Sequence, residues 1–142
     1  MKSLSKFATV FATLSLLAAS ALASPADSAL QALLKARGSL VSLLDTSDRA
    51  TQSSLQAEIV KASKEVDDSI KAALSDKAAP KEQTSKYKEF KELWEAFKKT
   101  RDGEIVPAIK AGKVDEAKAL AKGIQAERFG KLKELLGALG AK

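Results

Sequence analysis

The 142-residue sequence contains no cysteine and no histidine, and its single methionine is the first residue. Without cysteine no disulfide can form, so packing alone must hold the fold together. Histidine and cysteine are also the usual ligands of zinc, copper and haem iron, and without them neither a Ser-His-Asp nor a Cys-His catalytic arrangement is possible. We therefore predict a protein that has no metal or other cofactor and is not an enzyme.

Residues that break helices are also scarce, with only three prolines and seven glycines. Alanine, leucine, lysine, glutamate and glutamine, which favour helices, dominate the chain after its first 23 residues. No run alternates valine or isoleucine with polar residues, as a half-buried strand would. The sequence therefore predicts an all-α protein.

The amino terminus has the pattern of a secretory signal peptide. Lys2 and Lys6 precede an apolar run over residues 7–22, and Ala21-Leu22-Ala23 has the small-x-small form of a cleavage site. We predict cleavage after Ala23, which gives a signal peptide over residues 1–23, one domain over 24–142, and a periplasmic or secreted location. The alternative is an uncleaved anchor, although the run is shorter than the roughly 20 residues of a membrane span.

Basic residues outnumber acidic ones by 24 to 18, for a formal net charge of +6. Without Lys2 and Lys6 the net charge is +4, and the remaining lysines mostly alternate with glutamates at helical spacing. A protein that binds nucleic acid would instead show a basic stripe with interleaved aromatic residues. We predict solvated helix faces and no nucleic-acid partner.

Four amphipathic segments separated by short polar loops follow the signal. They predict an antiparallel up-down-up-down four-helix bundle. Their predicted bounds are 25–44, 48–74, 80–111 and 114–139. The competing architecture has three helices, with the first two fused through residues 45–48.

The apolar stripes and one proline give more detailed expectations. Leu34 and Val41 belong to the stripe of the first helix, and Ile124 to that of the last, so all three are predicted to face the interior. Pro107 lies inside the third segment and is expected to kink or interrupt it.

Only four of the basic residues are arginines, and three of these, Arg37, Arg101 and Arg128, lie within the apolar stripes. A buried guanidinium needs a partner. One interpretation is an internal ion pair, such as Arg101 with Glu104, or a side chain that reaches out to the surface. The other is an anion-binding pocket, because arginine donates two parallel hydrogen bonds to a carboxylate.

Trp94 also has two interpretations, since an aromatic residue on an apolar helix face is usually part of the core but can contact a ligand. The candidate ligand-binding residues are therefore Arg37, Arg101, Arg128 and Trp94.

The second half of the chain carries a family resemblance. One feature is the pattern Tyr87-x-x-Phe90-x-x-x-Trp94-x-x-Phe97, which Glu104-Ile105-Val106-Pro107 follows. Another is the turn Ala111-Gly112-Lys113-Val114-Asp115-Glu116-Ala117. Together they resemble the periplasmic four-helix-bundle ligand-binding domain of methyl-accepting chemotaxis receptors. The resemblance implies a sensory bundle, a homodimer, and a role for Arg37 like that of the first-helix arginines that contact an amino-acid ligand at the dimer interface.

Such receptors continue into a transmembrane helix and a cytoplasmic signalling region, whereas this sequence stops at Lys142. The resemblance therefore leads us to expect a free-standing module that binds a small, anionic ligand or a membrane receptor. The alternatives are a periplasmic structural or chaperone-like interaction protein, which predicts a continuous exposed apolar patch, and a protein that binds lipid surfaces.

Overall fold

The computed structural model describes residues 23–142, so the predicted signal peptide lies outside the described residues except for Ala23. The helices are α1 (Pro25–Asp45), α2 (Arg49–Ser75), α3 (Lys81–Thr100), α4 (Val106–Lys110), α5 (Val114–Lys122) and α6 (Ile124–Ala138), with a π-helical segment (Arg101–Ile105) between α3 and α4.

These elements form the four antiparallel segments of a bundle, as the sequence predicted. The third segment consists of α3, the π segment and α4, and the fourth consists of α5 and α6. Helix α1 packs along α2, and α6 packs against α3 and α1. The three-helix alternative is wrong because residues 46–48 leave the helix. Asp48 then caps α2 by accepting a hydrogen bond from the Thr51 amide at 2.8 Å.

Helix α1 begins with a capping box. The Ser24 hydroxyl accepts from the Asp27 amide at 3.1 Å, and the Asp27 carboxylate accepts from the Ser24 amide at 3.3 Å. Asp27 also accepts from the Lys142 amide at 2.9 Å, which ties the end of the chain to the start of α1. The hydrogen bond from Ser24, with that from Lys142, lowers the pKa of Asp27.

The turn between α4 and α5 depends on Gly112, which has a φ of +76°. The Gly112 amide donates to the Ile109 carbonyl at 3.1 Å, and the Lys113 amide donates to the Ala108 carbonyl at 2.8 Å. These two bonds form a Schellman motif, which satisfies carbonyls at the end of α4. A side chain at position 112 would be strained because L-residues rarely adopt this φ.

The third segment is interrupted near Pro107, but the interruption begins earlier than predicted. The Val106 amide donates to the Arg101 carbonyl five residues back, which closes the π turn. Pro107 follows in the first turn of α4, where a missing amide proton costs little.

A second interruption, at Gly123, divides the fourth segment, which the sequence predicted as one continuous helix. Gly123 has φ −88° and ψ −112°, outside the helical range. The hydrogen bonds around it run from the Gly123 amide to the Ala119 carbonyl and from the Glu127 amide to the Gly123 carbonyl. A Cβ atom at position 123 would lie 3.1 Å from the Ala119 carbonyl oxygen, so glycine suits this close approach.

The interior divides into two hydrophobic clusters along the bundle axis. The aromatic core fills the end where the chain termini meet, and its largest members are Leu33, Val66, Tyr87, Phe90, Trp94, Phe97, Leu132 and Leu136. The aliphatic core fills the other end, between the last turns of α1, the start of α2, and α4 and α5. Its members include Leu40, Leu43, Leu44, Ile59, Ile105, Ile109, Ala117 and Ala121.

Three stripe residues predicted to face the interior are instead exposed. Leu34 is 41% exposed, Val41 42% and Ile124 42%. They lie at the margins of their stripes, because neighbours such as Leu33 and Leu40 already fill the interior. Between residues 23 and 142 there is no helix that is both long and apolar enough to span a membrane.

Candidate ligand-binding site

Arg101 is buried at the join between the two cores, where it is fully paired. Its Nε and Nη2 atoms donate to the Asp102 carboxylate at 2.7 and 3.0 Å, and Nη1 donates to the Ser63 hydroxyl at 2.8 Å. The guanidinium also lies 5.7 Å from the centre of the Trp94 ring. The expected pairing with Glu104 is wrong, because the wider π turn takes Glu104 off the face of Arg101.

Trp94 lies fully buried beneath Arg101 in the aromatic core. Its indole nitrogen donates to Asp67 at 2.8 Å, and its ring stacks on Phe97 with centroids 5.5 Å apart. Lys98 donates to the same Asp67 carboxylate at 2.9 Å. Burial acts to lower the pKa of Lys98, but its bonds to Asp67 and Glu95 outweigh that effect and raise it.

Arg128 is half-buried on α6 and joins it to the end of α3. Its Nη1 atom donates to the Thr100 hydroxyl at 2.7 Å, to the Ala96 carbonyl at 3.3 Å and to the Gln125 side-chain oxygen at 3.2 Å. Gln125 is fully buried, and its amide nitrogen donates to the Phe97 carbonyl at 2.9 Å. This network therefore satisfies polar groups inside the bundle.

Arg37 differs from the other two, because part of its hydrogen-bonding capacity is unused. Nη2 donates to the Ala121 carbonyl at 3.3 Å, and the guanidinium lies 5.6 Å from the centre of the Phe129 ring. Nη1 is the one buried side-chain polar atom in residues 23–142 that has no hydrogen-bond partner. Burial lowers the pKa of Arg37, which nevertheless stays cationic at neutral pH as arginines in proteins do.

Arg37 lines a cleft of about 340 Å³ between the end of α1 and α5, whose lining residues are Arg37, Val41, Leu44, Asp45, Lys118, Ala121 and Lys122. Three of these side chains are cationic and one is a carboxylate. Lys118 pairs with that carboxylate, Asp45, at 3.1 Å. The cleft therefore combines an apolar wall with a net positive charge, which suits an anion with a small apolar part.

The four predicted site residues do not share a cavity. Arg37 lines the cleft, while Arg101, Arg128 and Trp94 use their polar atoms on partners inside the bundle. A ligand-binding role for any of them stays a prediction. Sequence reasoning missed Lys118 and Lys122, although their spacing of four residues beside the stripe of α5 places them on one helix face.

No group of three or more acidic, histidine or cysteine side chains in residues 23–142 is placed to hold a metal ion. The cleft instead has three cationic side chains and one carboxylate, and arginine and lysine bind carboxylates and phosphates.

Comparison with known protein families assigns the bundle. The model of the family described as "Four helix bundle sensory module for signal transduction" matches residues 26–141. The chain belongs to this family. The match confirms the resemblance carried by the aromatic third segment and the turn at Gly112. No curated protein and no solved structure gives a significant match to this sensory module.

Proposed function

We propose that this sensory module binds a small carboxylate in the cleft at Arg37 and carries out no catalysis of its own. The observation that carries the proposal is the buried, unpartnered Nη1 atom of Arg37. A buried donor without a partner costs about 1–3 kcal/mol. A carboxylate oxygen would recover that cost if the guanidinium turned into the cleft, because Nη1 itself is buried.

The side chains around Arg37 suit a carboxylate in shape and charge. A guanidinium can hold a carboxylate with two parallel hydrogen bonds, and Lys118 and Lys122 add positive charge at the mouth of the cleft. Val41 and Leu44 supply an apolar wall for the rest of the ligand. A volume of about 340 Å³ lies at the small end of ligand pockets, so the ligand should be a small metabolite.

A thermal-shift screen of the purified protein against amino acids, monocarboxylates such as acetate and dicarboxylates such as succinate tests the proposal. A ligand at 100 times its dissociation constant adds about 2.7 kcal/mol of stability. We expect a hit in the native protein and in Arg49→Ala, a control that removes an exposed arginine outside the cleft. The hit should disappear in Arg37→Ala. A panel without hits, or a hit that survives in Arg37→Ala, would contradict the proposal.

A second copy of the chain is the proposed partner on the outer face of α1. Leu34 and Val41, both about two-fifths exposed, flank Arg37 on that face. A dimer formed there would cover both side chains and enclose the cleft. In sedimentation experiments, Leu34→Glu should produce monomers. Val60→Glu, which changes a 69% exposed valine on α2, should leave the dimer intact. Dimers in both variants, or monomers in the native protein, would exclude this face as a dimer interface.

We also propose that the module works outside the cytoplasm after cleavage between Ala23 and Ser24. Ser24 caps α1, so the proposed cut falls immediately before the residue that begins the bundle domain. Intact-mass measurement of protein recovered from the periplasm of an expressing bacterium tests the cut. A mass that retains residues 1–23 would favour the anchored alternative.

A protein-interaction role remains the alternative, and one groove favours it. The floor of a groove between α3 and α6, about 680 Å³ in volume, is formed by Leu93, Ala96, Leu135 and Ala138. If Arg37→Ala leaves the binding of every ligand unchanged while Leu135→Glu abolishes the binding of a partner protein, this alternative replaces the carboxylate proposal.

A further inference from the structure

The interruption at Gly123 lies two residues from the only hydrogen-bond acceptor of Arg37 in the described chain. In a continuous helix, the Ala121 carbonyl would accept from the Gln125 amide four residues on. Here the fourth segment breaks at Gly123, and the Ala121 carbonyl accepts from Nη2 of Arg37 instead. The side chain of Arg37 thus serves as a cap for the end of α5.

We infer that the Arg37 bond to Ala121 and the break at Gly123 stabilise each other, so that capture of an anion by Arg37 favours a continuous fourth helix. The identity of the ligand rests on the proposed function, whereas the exchange between a broken and a continuous fourth helix does not. Closing the helix supplies the Ala121 carbonyl with a backbone donor, the Gln125 amide, so that the guanidinium is no longer needed there and can turn to an anion. When an anion binds the guanidinium, the Ala121 carbonyl loses its hydrogen-bond donor. Closing the helix supplies a new donor, the Gln125 amide.

The two arrangements share the Ala121 carbonyl, and the bond from Arg37 matters most in the broken state, where that carbonyl lacks its backbone donor. In the broken state, Arg37 satisfies one carbonyl and holds one unpartnered nitrogen. In the continuous state, a carboxylate satisfies Arg37 and the Gln125 amide satisfies Ala121. The ligand shifts the balance by its difference in affinity for the two states, and by reciprocity any change that closes the helix raises ligand affinity.

Glycine at position 123 keeps the two states close in free energy. Alanine would bring its Cβ to 3.1 Å from the Ala119 carbonyl oxygen in the broken state, and alanine also favours a helix over glycine. Gly123→Ala should therefore favour the continuous helix and tighten carboxylate binding by up to about fivefold. Gly137→Ala, inside α6 with no atom beyond its own helix backbone within 4 Å of the added Cβ, is the matched control and should leave carboxylate affinity unchanged.

The switch is testable without a ligand by NMR. The backbone ¹³Cα shifts of residues 121–125 report whether the segment is helical, and a scalar coupling across a hydrogen bond between the Gln125 nitrogen and the Ala121 carbonyl reports closure. We expect closure in Gly123→Ala and, because the competing donor is gone, in Arg37→Ala. Native protein and Gly137→Ala should show the break.

The decisive result is the behaviour of Arg37→Ala. If its shifts at residues 121–125 match those of the native protein, the mutual stabilisation is wrong, whatever the ligand screen shows. If they become helical while no carboxylate binds the native protein, the switch stands and the proposed function fails. If succinate binds the native protein but leaves those shifts unchanged, binding stands and its coupling to the break is wrong.

Discussion

The two ends of the bundle are built differently. At the aromatic end, α3 and α6 run without interruption past Tyr87, Phe90, Trp94 and Phe97, and the buried polar groups there are paired. At the aliphatic end, the core consists of leucine, isoleucine and alanine, and it is bounded by the π segment and by the break at Gly123. The unpartnered donor of Arg37 lies at the join. The aromatic end is therefore continuous, whereas the aliphatic end is interrupted twice and borders the one buried side-chain donor of residues 23–142 that has no partner.

The largest expected effect comes from the aromatic core. Trp94→Ala should lower the free energy of unfolding by about 3–5 kcal/mol, because it removes a fully buried ring and leaves Asp67 without its indole donor. Ile109→Val in the aliphatic core should cost about 0.5–1.5 kcal/mol. Urea denaturation measures both. A loss for Trp94→Ala no larger than that for Ile109→Val would contradict the burial and hydrogen bonding described for Trp94.

A smaller loss is expected when the partner of a buried guanidinium is removed. Asp102→Ala should cost about 1–3 kcal/mol, because Arg101 stays buried with only Ser63 as a hydrogen-bond acceptor. Denaturation of Asp68→Ala, which removes a carboxylate from an exposed pair with Lys64, provides the control and should show a change below about 1 kcal/mol. A harmless Asp102→Ala would mean that Arg101 reaches solvent.

The turn at the aliphatic end should tolerate substitution less well than a glycine inside α6. Gly112→Ala should cost about 1–2 kcal/mol because position 112 has a left-handed φ of +76°. Gly137→Ala, inside a helix and in open space, should stabilise the protein by up to about 1 kcal/mol. Thermal denaturation should show opposite signs for the two variants, and the same sign would argue against the Schellman turn.

Replacing the guanidinium of Arg37 should change the stability little. Arg37→Met removes the buried Nη1 donor, which has no partner, together with the bond from Nη2 to the Ala121 carbonyl, and because these two effects oppose each other the free energy of unfolding should change by less than about 1 kcal/mol. A loss above about 1 kcal/mol in urea denaturation would indicate that Arg37 is structural.

The smallest expected effect concerns the stability of the fold at low pH. The pKa of Asp27 is lowered in the folded protein, first by Ser24 and then by Lys142, so this carboxylate stabilises the fold above its ordinary pKa of 3.8. That contribution is lost as the pH falls through the lowered value. Asp27→Asn should therefore reduce the dependence of the melting temperature on pH below about 4. An unchanged pH profile would show that the hydrogen bonds of Asp27 with Ser24 and Lys142 contribute nothing to the stability.

The sequence predicted the architecture well because helical periodicity and caps are local signals. The observed helices begin and end close to the predicted bounds, with Ser24 and Asp48 as N-caps and Gly112 after the end of α4, and Trp94 lies in the core. The break at Gly123 was missed because a single glycine inside an apolar stripe is usually tolerated. Its role depends on the carbonyl of Ala119, which the sequence pattern does not position.

The partners of the stripe arginines could not be predicted for a different reason. Arg101 bonds to Ser63 on α2, and Arg37 bonds to Ala121 on α5, both far away in sequence. Such contacts depend on how the helices face each other, which periodicity does not fix. Lys118 and Lys122 were overlooked because a lysine beside an apolar stripe is usually only solvated.

Hydrogen exchange with and without succinate tests most directly whether an anion at Arg37 acts on the aliphatic end of the bundle. We predict that succinate slows amide exchange over residues 37–45 and 114–126 and leaves residues 81–97 in the aromatic core unchanged, and that Arg37→Ala abolishes the effect. Uniform slowing along the chain, or the same local slowing in Arg37→Ala, would contradict the account.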